Sequence, residues 1–226
     1  MALYIVATPI GNLKDISERA LETLRSCRVV VVEKWTDSIK LLNHFQIKPE
    51  KIITFDERNQ HRVAPQILEI LKSHDAALIT SAGTPGVSDP GAMLVRLCQS
   101  ARVPVVPIPG PSALASLISV SGLEGPVLFV GFLPKKKSHI LKIFAEAKDN
   151  KHLLVFYESP YRIKKTLQLL ESEHPTAHLF IGKEMTKKFE TYFAGTASEI
   201  LSVFEKDPKS IKGEFSGITN FFDTRI

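Results

Sequence analysis

Residues 29–55 read VVVVEKWTDSIKLLNHFQIKPEKIITF. Four valines open the stretch, IITF (52–55) closes it, and DSIKLLNHFQ (37–46) between them reads as a helix. A strand that is apolar at every position, rather than at every second one, is buried on both faces. That requires a parallel sheet with helices packed on each side. Working outward, LYIV (3–6), AALIT (76–80) and VPVVPI (103–108) supply further apolar strands. Helices are expected over 17–27, with Ser17 as N-cap, and over 61–73 and 91–101. The first half is therefore α/β with a mostly parallel sheet.

After a helix over 112–121 and the Gly/Pro stretch SGLEGP, a second series begins. VLFVGF (127–132), HLLVFY (152–157) and HLFIG (178–182) read as strands, with helices near 138–148 and 160–172. FETYFAG (189–195), a helix over 197–205 and GEFSGITNFF (213–222) then break the alternation and predict antiparallel neighbours in a mixed sheet. Two α/β domains are expected, 1–114 and 115–226, the boundary falling in the 111–125 region. No Gly/Ser-rich linker separates them, so they are expected to lie against each other.

The chain has 226 residues, 44% of them hydrophobic and 23% charged, the composition of an ordinary globular protein. No apolar run approaches the roughly 18 residues of a membrane span, and MALYIVATPIGN lacks the form of a signal peptide. Cys27 and Cys98 stand far apart, without metal or redox spacing, so a cytoplasmic location is expected. The net charge of +5 is spread evenly: residues 1–111 hold 13 Lys/Arg against 11 Asp/Glu, and residues 112–226 hold 16 against 13. That balance permits an acidic partner such as RNA without requiring one.

Three Gly/Pro-rich loops follow strands of the first domain: ATPIGN (7–12), SAGTPGVSDPG (81–91) and PIPGPSA (107–113). In open α/β sheets, ligands bind outside the carboxyl ends of the strands. Three such loops build a wall of main-chain N–H and C=O groups stiffened by proline, suited to a polar small molecule such as a nucleoside. Taken singly, each loop could simply end a strand; together they exceed what strand ends need. No GK[ST] follows a glycine run and no G-x-G-x-x-G is present, which argues against the usual phosphate and dinucleotide sites. The seven histidines are scattered singly, so no metal site is expected, and no G-x-S-x-G marks a serine hydrolase. Lys135–Lys137 and Lys187–Lys188 read as solvated surface, with phosphate contact left open. YESPYRI (157–163) and KEMTKKFE (183–190) each follow a strand, and in isolation read as helix-start devices.

In order, LYIVATPIGNLKDISERALETL, SAGTPGVSDPGAMLV, PIPGPSA, GFLPKK, YESPYRI, KEMTKKFE and KGE closely resemble the ribosomal RNA small-subunit methyltransferase I family of the tetrapyrrole methylase superfamily. The resemblance covers residues 3–214. It implies a two-domain tetrapyrrole methylase-like fold, a homodimer, and S-adenosyl-L-methionine held in the cleft between domains. It also implies methylation of the 2′-hydroxyl of a cytidine in small-subunit ribosomal RNA. By the same resemblance Pro9, Ser81, Ala82, Gly83, Thr84, Ser112 and Ala113 contact the donor, and Tyr157 closes the cleft from the second domain. Glu158, Glu184 and Lys187 are the candidate proton-transfer groups, a lysine base requiring a depressed pKa. Trp35, Asn59, Arg162 and Lys183 are the candidate acceptor contacts.

The chain departs from the family pattern mainly at polar positions. VEKWTDS (32–38) stands where the family reads A-E-D-T-R-H-T, and Thr80-Ser81-Ala82-Gly83 where it reads S-D-A-G. Tyr161 and Lys183 replace a customary His and Arg, and the family's extension beyond the final strand is expected to be missing. The pattern predicts an intact donor site and an altered acceptor site. Trp35, expected in a loop, either stacks on a base or covers the core. Two other readings remain open at this point: a same-fold methyltransferase with another acceptor, and a donor-binding protein without turnover.

Overall fold

Val29–Val32 is buried at all four positions, and its place in the sheet explains why. The computed structural model describes residues 1–222, so the last four of the expected second domain, 223–226, lie outside the described residues. The chain divides into two compact units, Met1–Ser112 and Ala113–Ile226.

In the first unit the elements run β1 (Leu3–Val6), α1 (Glu18–Ser26), β2 (Val29–Val32), α2 (Trp35–His44), β3 (Lys51–Thr54), α3 (Gln60–Ile70), β4 (Ala76–Ile79), α4 (Ala92–Ser100) and β5 (Val105–Ile108). The five strands lie in the order β3-β2-β4-β1-β5, and every pair is parallel. One face packs Leu3, Val31 and Leu78 against Val63 and Ile67 of α3 and Leu94 of α4. The other packs Val6, Val30 and Ile79 against Leu24 of α1 and Leu42 of α2. The continuous apolar strands thus have helices on both sides, as their composition demands. Ser17 caps α1, its hydroxyl accepting from the Ala20 N–H at 3.2 Å. Helix α2 begins at Trp35 rather than Asp37, because extended Lys34 serves as N-cap. Asp37 then falls in the first turn, where its charge meets the positive helix end. Trp35 is therefore a helix residue, not the loop residue expected.

The second unit runs α5 (Ala113–Ser121), β6 (Val127–Phe132), α6 (Lys137–Asp149), β7 (Leu153–Glu158), α7 (Ile163–Glu173), β8 (His178–Lys183), β9 (Thr191–Thr196), α8 (Ala197–Lys206) and β10 (Phe215–Asn220). Its sheet has the order β6-β7-β10-β8-β9. Only β6 and β7 pair in parallel; the remaining ladders are antiparallel, the mixed sheet the sequence predicts. Phe144 of α6, Leu167 of α7 and Phe204 of α8 cover one face through Phe156, Ile181 and Phe215. Helix α5 lies against β10 and β8 on the other face. Helix α8 is held by a capping box between Thr196 and Glu199. Helix α7 starts at Ile163, not at Pro160, because the Arg162 and Ile163 N–H groups both turn back to the Ser159 carbonyl. No helix among the described residues is long and apolar enough to cross a membrane.

Gly217 lies in the central strand β10, where an added Cβ would come 2.5 Å from Cζ of the fully buried Phe156. Gly217→Ala is expected to destabilise the fold by about 1–3 kcal/mol through overpacking. The check is a lower urea midpoint at unchanged m-value.

Candidate functional site

In the order β3-β2-β4-β1-β5, the connection after β1 leads to α1 on one face and the connection after β4 to α4 on the other. Neighbouring strands whose connections leave in opposite directions open a crevice at their carboxyl ends. The loops after β4, β1 and β5 meet there. Thr8 and Gly83 exchange two main-chain hydrogen bonds, Thr8 N–H to Gly83 O at 2.8 Å and Gly83 N–H to Thr8 O at 2.9 Å. Ala7 N–H donates to Ile108 O at 3.1 Å, and Thr84 Oγ1 donates to Pro111 O at 3.1 Å. These bonds stitch the three loops into one surface.

Close approach explains the glycines on that surface. A Cβ at Gly110 would lie 3.1 Å from the Ala7 Cβ. Gly83 has φ +76°, a conformation a larger residue adopts only at a cost. Ala82 is exposed, while Pro9 and Gly83 are buried. The expected donor contacts Pro9, Ser81, Ala82, Gly83, Thr84 and Ser112 all belong to these loops of the first unit. Ala113 is the first residue of α5 and belongs to the second.

Two carboxylates stand beside the β4 loop. Glu33, at the end of β2, accepts from the Ser81 hydroxyl at 2.8 Å and the Ser81 N–H at 3.1 Å. Burial and the neighbouring Glu33 push Asp89 up to about 6, against the smaller pull of the Thr80 hydroxyl and Lys34. Asp89 lies inside the SAGTPGVSDPG stretch, but nothing in its spacing to Glu33, 56 residues earlier in the chain, announces the pairing. An acid raised from 3.8 to about 6 binds its proton more tightly folded than unfolded. The ionised carboxylate therefore costs stability, by an amount that is absent below the unfolded value, grows from about pH 4 to pH 6, and is constant above. Asp89→Asn is expected to raise stability by about 2 kcal/mol at pH 7. The gain disappears near pH 4, as denaturant titrations at the two pH values would show.

Trp35 stands two residues beyond Glu33 and is 50% exposed. Asn59 is occupied locally: Oδ1 accepts from the Asp56 N–H at 2.9 Å and Nδ2 donates to Thr54 O at 3.0 Å, closing the loop after β3.

In the second unit the ends of β6, β7 and β8 and the start of β10 share one edge. The register places Glu158, Phe215 and Lys183 in a row across β7, β10 and β8. Glu158 is only 1% exposed. Its oxygens accept from the Ser159 N–H and the Thr166 hydroxyl, each at 2.9 Å, and Arg162 lies 3.4 Å away. Arg162 also donates to the Leu133 and Pro134 carbonyls at 2.9 and 2.8 Å. Both residues are thus fastenings that join the loops after β6 and β7. Glu158 has no open face for proton transfer.

Glu184 Oε1 accepts from Lys187 Nζ and from the Glu214 N–H, each at 2.9 Å, while Lys187 also meets Glu214 at 2.8 Å. Burial works against charge at both sites. The Glu214 N–H and the Lys187 ammonium nevertheless hold Glu184 below the ordinary carboxylate range, and the two carboxylates hold Lys187 above the ordinary lysine range. The depressed lysine pKa that a base requires is reversed here, and Glu184 is a weakened base. Gly213, φ +116°, leaves room for this clamp, since its Cβ would fall 2.4 Å from Glu184 Cγ. Lys183 is 8% exposed on the same edge. Tyr157 accepts at its hydroxyl from the Leu114 N–H at 3.1 Å, satisfying a free donor in the first turn of α5.

The chain matches the family of Tetrapyrrole (Corrin/Porphyrin) Methylases over residues 2–201. It is 41% identical over 206 residues to the ribosomal RNA small subunit methyltransferase I of Thermotoga maritima, covering 90% of this chain and 92% of that one. Against the Vibrio cholerae protein of the same name the identity is 40% over 215 residues, covering 94% and 74%. Among solved structures, diphthine synthase superposes with a TM-score of 0.74 over 97% of this chain and 90% of its own, at 14% identity, a likeness of fold.

Proposed function

The chain belongs to the tetrapyrrole methylase family, among the ribosomal RNA small subunit methyltransferase I proteins, and is a methyltransferase; from that premise we propose that it methylates the 2′-hydroxyl of a cytidine in small-subunit ribosomal RNA, with S-adenosylmethionine as donor. The observation that carries the donor assignment is the main-chain surface stitched between the loops after β4, β1 and β5 at the topological switch point. Its residues fit the group. Exposed Ala82 carries only a methyl group beside its main chain, and the Glu33 and Asp89 carboxylates suit a cationic ligand better than a phosphate.

When bound, S-adenosylmethionine supplies a methyl group already activated on a sulfonium. Ser81–Thr84, Pro9 and Ser112 orient the donor, and the Thr8–Gly83 bridge keeps their main chain fixed. Orientation of two reactants supplies up to about 7–11 kcal/mol of a barrier; with Glu184 and Lys187 held in their clamp, the proton of the acceptor hydroxyl would pass to water. Lys187 and Glu184 hold their protonation states through the clamp and shape the edge of the second unit. Trp35, with half its surface open, is the acceptor-side contact of the first unit. A homodimer is part of the same reading, and sedimentation of the purified protein tests it.

The reading is tested with methyl-labelled donor and three acceptor conditions: small ribosomal subunits from cells lacking the chain, free ribosomal RNA, and no acceptor. Label in RNA, at a ribose that resists alkaline cleavage, supports it. Label in protein or a small molecule points to another acceptor on the same fold, and no transfer at all leaves a donor-binding protein.

A further inference from the structure

The edge of the second unit where β6, β7 and β8 end and β10 begins carries an unusual set of side chains. Three large rings stand open there: Phe132 at 59%, Tyr161 at 90% and Phe189 at 68% exposure. They lie at the end of β6, in the turn after β7 and in the loop after β8, so neighbouring loops of one edge display them. With strands about 4.8 Å apart, β6 to β8 spans about 14 Å.

Lysines share the loops of two of the rings, Lys135 and Lys136 following Phe132 and Lys188 preceding Phe189, and Lys212 precedes β10. The acids of the edge are Glu158, paired with Arg162; Glu184 and Glu214, which share Lys187; and exposed Glu190, which accepts from the Thr186 N–H. Lys135, Lys136, Lys188 and Lys212 are exposed and form no ion pair among the described residues. Lys188 Nζ lies over the Phe189 ring, 5.6 Å from its centroid, so a cation and an exposed ring share one place on the edge. Protein interfaces deplete lysine around their aromatic anchors. Rings interleaved with lysines instead match single-stranded nucleic acid, whose bases stack on the rings while its phosphates meet the cations. Sheet platforms with a few aromatic residues stack two or three bases.

We propose that this edge is a single-stranded RNA platform, on which Phe132, Tyr161 and Phe189 stack bases and Lys135, Lys136, Lys188 and Lys212 meet phosphates. The proposal rests on the RNA reading above and names the surface that grips the acceptor strand.

Two probes test it: a fluorescein-labelled single-stranded RNA of about 12 nucleotides, by anisotropy, and small ribosomal subunits from cells lacking the chain, by sedimentation. The variants are Phe132→Ala/Tyr161→Ala/Phe189→Ala and Lys135→Ala/Lys136→Ala/Lys188→Ala/Lys212→Ala, with Lys142→Ala/Lys206→Ala on α6 and α8 as control. Thermal midpoints and donor affinity establish that each variant is folded. The ring variant is expected to lose about fivefold or more in affinity per ring, with the salt slope kept. The lysine variant is expected to lower the slope of log affinity against log salt by about 3, at about 0.7 per phosphate contact. The control binds as wild type does. Unchanged binding by both edge variants, no binding of either probe by the wild type, or a loss confined to a ribosomal protein would overturn the platform. Edge variants that bind and methylate RNA normally refute the platform and leave the methylation reading standing. Ring- and lysine-dependent binding by a wild type that labels no RNA supports the platform and refutes the reading.

Discussion

Ala82→Trp is expected to keep the fold and lose the methyl donor. Ala82 is exposed, and its carbonyl accepts from the Thr80 hydroxyl at 3.3 Å. Its main-chain neighbours are fixed by the Ser81–Glu33 bonds on one side and the Thr8–Gly83 bridge on the other. An indole at this position has no core to disturb, and surface substitutions of this kind change stability by about 0.5 kcal/mol or less. It does cover the main chain proposed to seat the donor. Calorimetric affinity for S-adenosylmethionine should fall at least about a hundredfold, or about 2.8 kcal/mol. Gly83→Leu is the blunter form of the experiment. At φ +76° a leucine adds strain of about 1–2 kcal/mol, with its Cβ in ordinary contact with Ile10 Cγ2 at 3.4 Å. Its result would mix folding with binding.

Glu158→Ala carries the largest expected effect on stability. Removing the carboxylate strips the Ser159 N–H and the Thr166 hydroxyl of their acceptor and leaves Arg162 facing a cavity. Breaking a buried pair from one side costs about 3–5 kcal/mol. The lower end applies here, because the Arg162 side chain keeps 29% of its surface in solvent and its two carbonyl partners. Glu158→Gln keeps an acceptor oxygen and should cost about 1–2 kcal/mol. Urea denaturation of the two variants measures both numbers. A Glu158→Ala protein as stable as wild type, yet slow in methyl transfer, would return the residue to the chemistry.

The strands were legible because burial on two faces leaves a plain mark on composition: VVVV and AALI are β2 and β4. The mixed second sheet was legible from the broken alternation after residue 182. Helix starts were less so. Trp35 reads as a loop residue because Lys34 caps α2 with its backbone conformation and contributes no side-chain cap. Pro160 looks like a first-turn proline, whereas the turn that ends on Ser159 O delays α7 to Ile163. The three loops of the candidate site were visible as Gly/Pro stretches, but their bonding to one another depends on the order β4-β1-β5, which no local pattern encodes. The same holds for Asp89 beside Glu33, and for the clamp in which Glu214 turns Lys187 from a candidate base into a fixed cation. Motifs such as YESPYRI show which residue types are present; only the register shows that Glu158 is sealed.

The central claim is that the main chain after β4, β1 and β5 seats the adenosyl donor. Crystals of the protein soaked with S-adenosylhomocysteine test it most directly. Density for the nucleoside against Ser81–Thr84, Pro9 and Ser112 is the predicted result. A fully bound nucleoside elsewhere on the chain, with these loops bare, would contradict it.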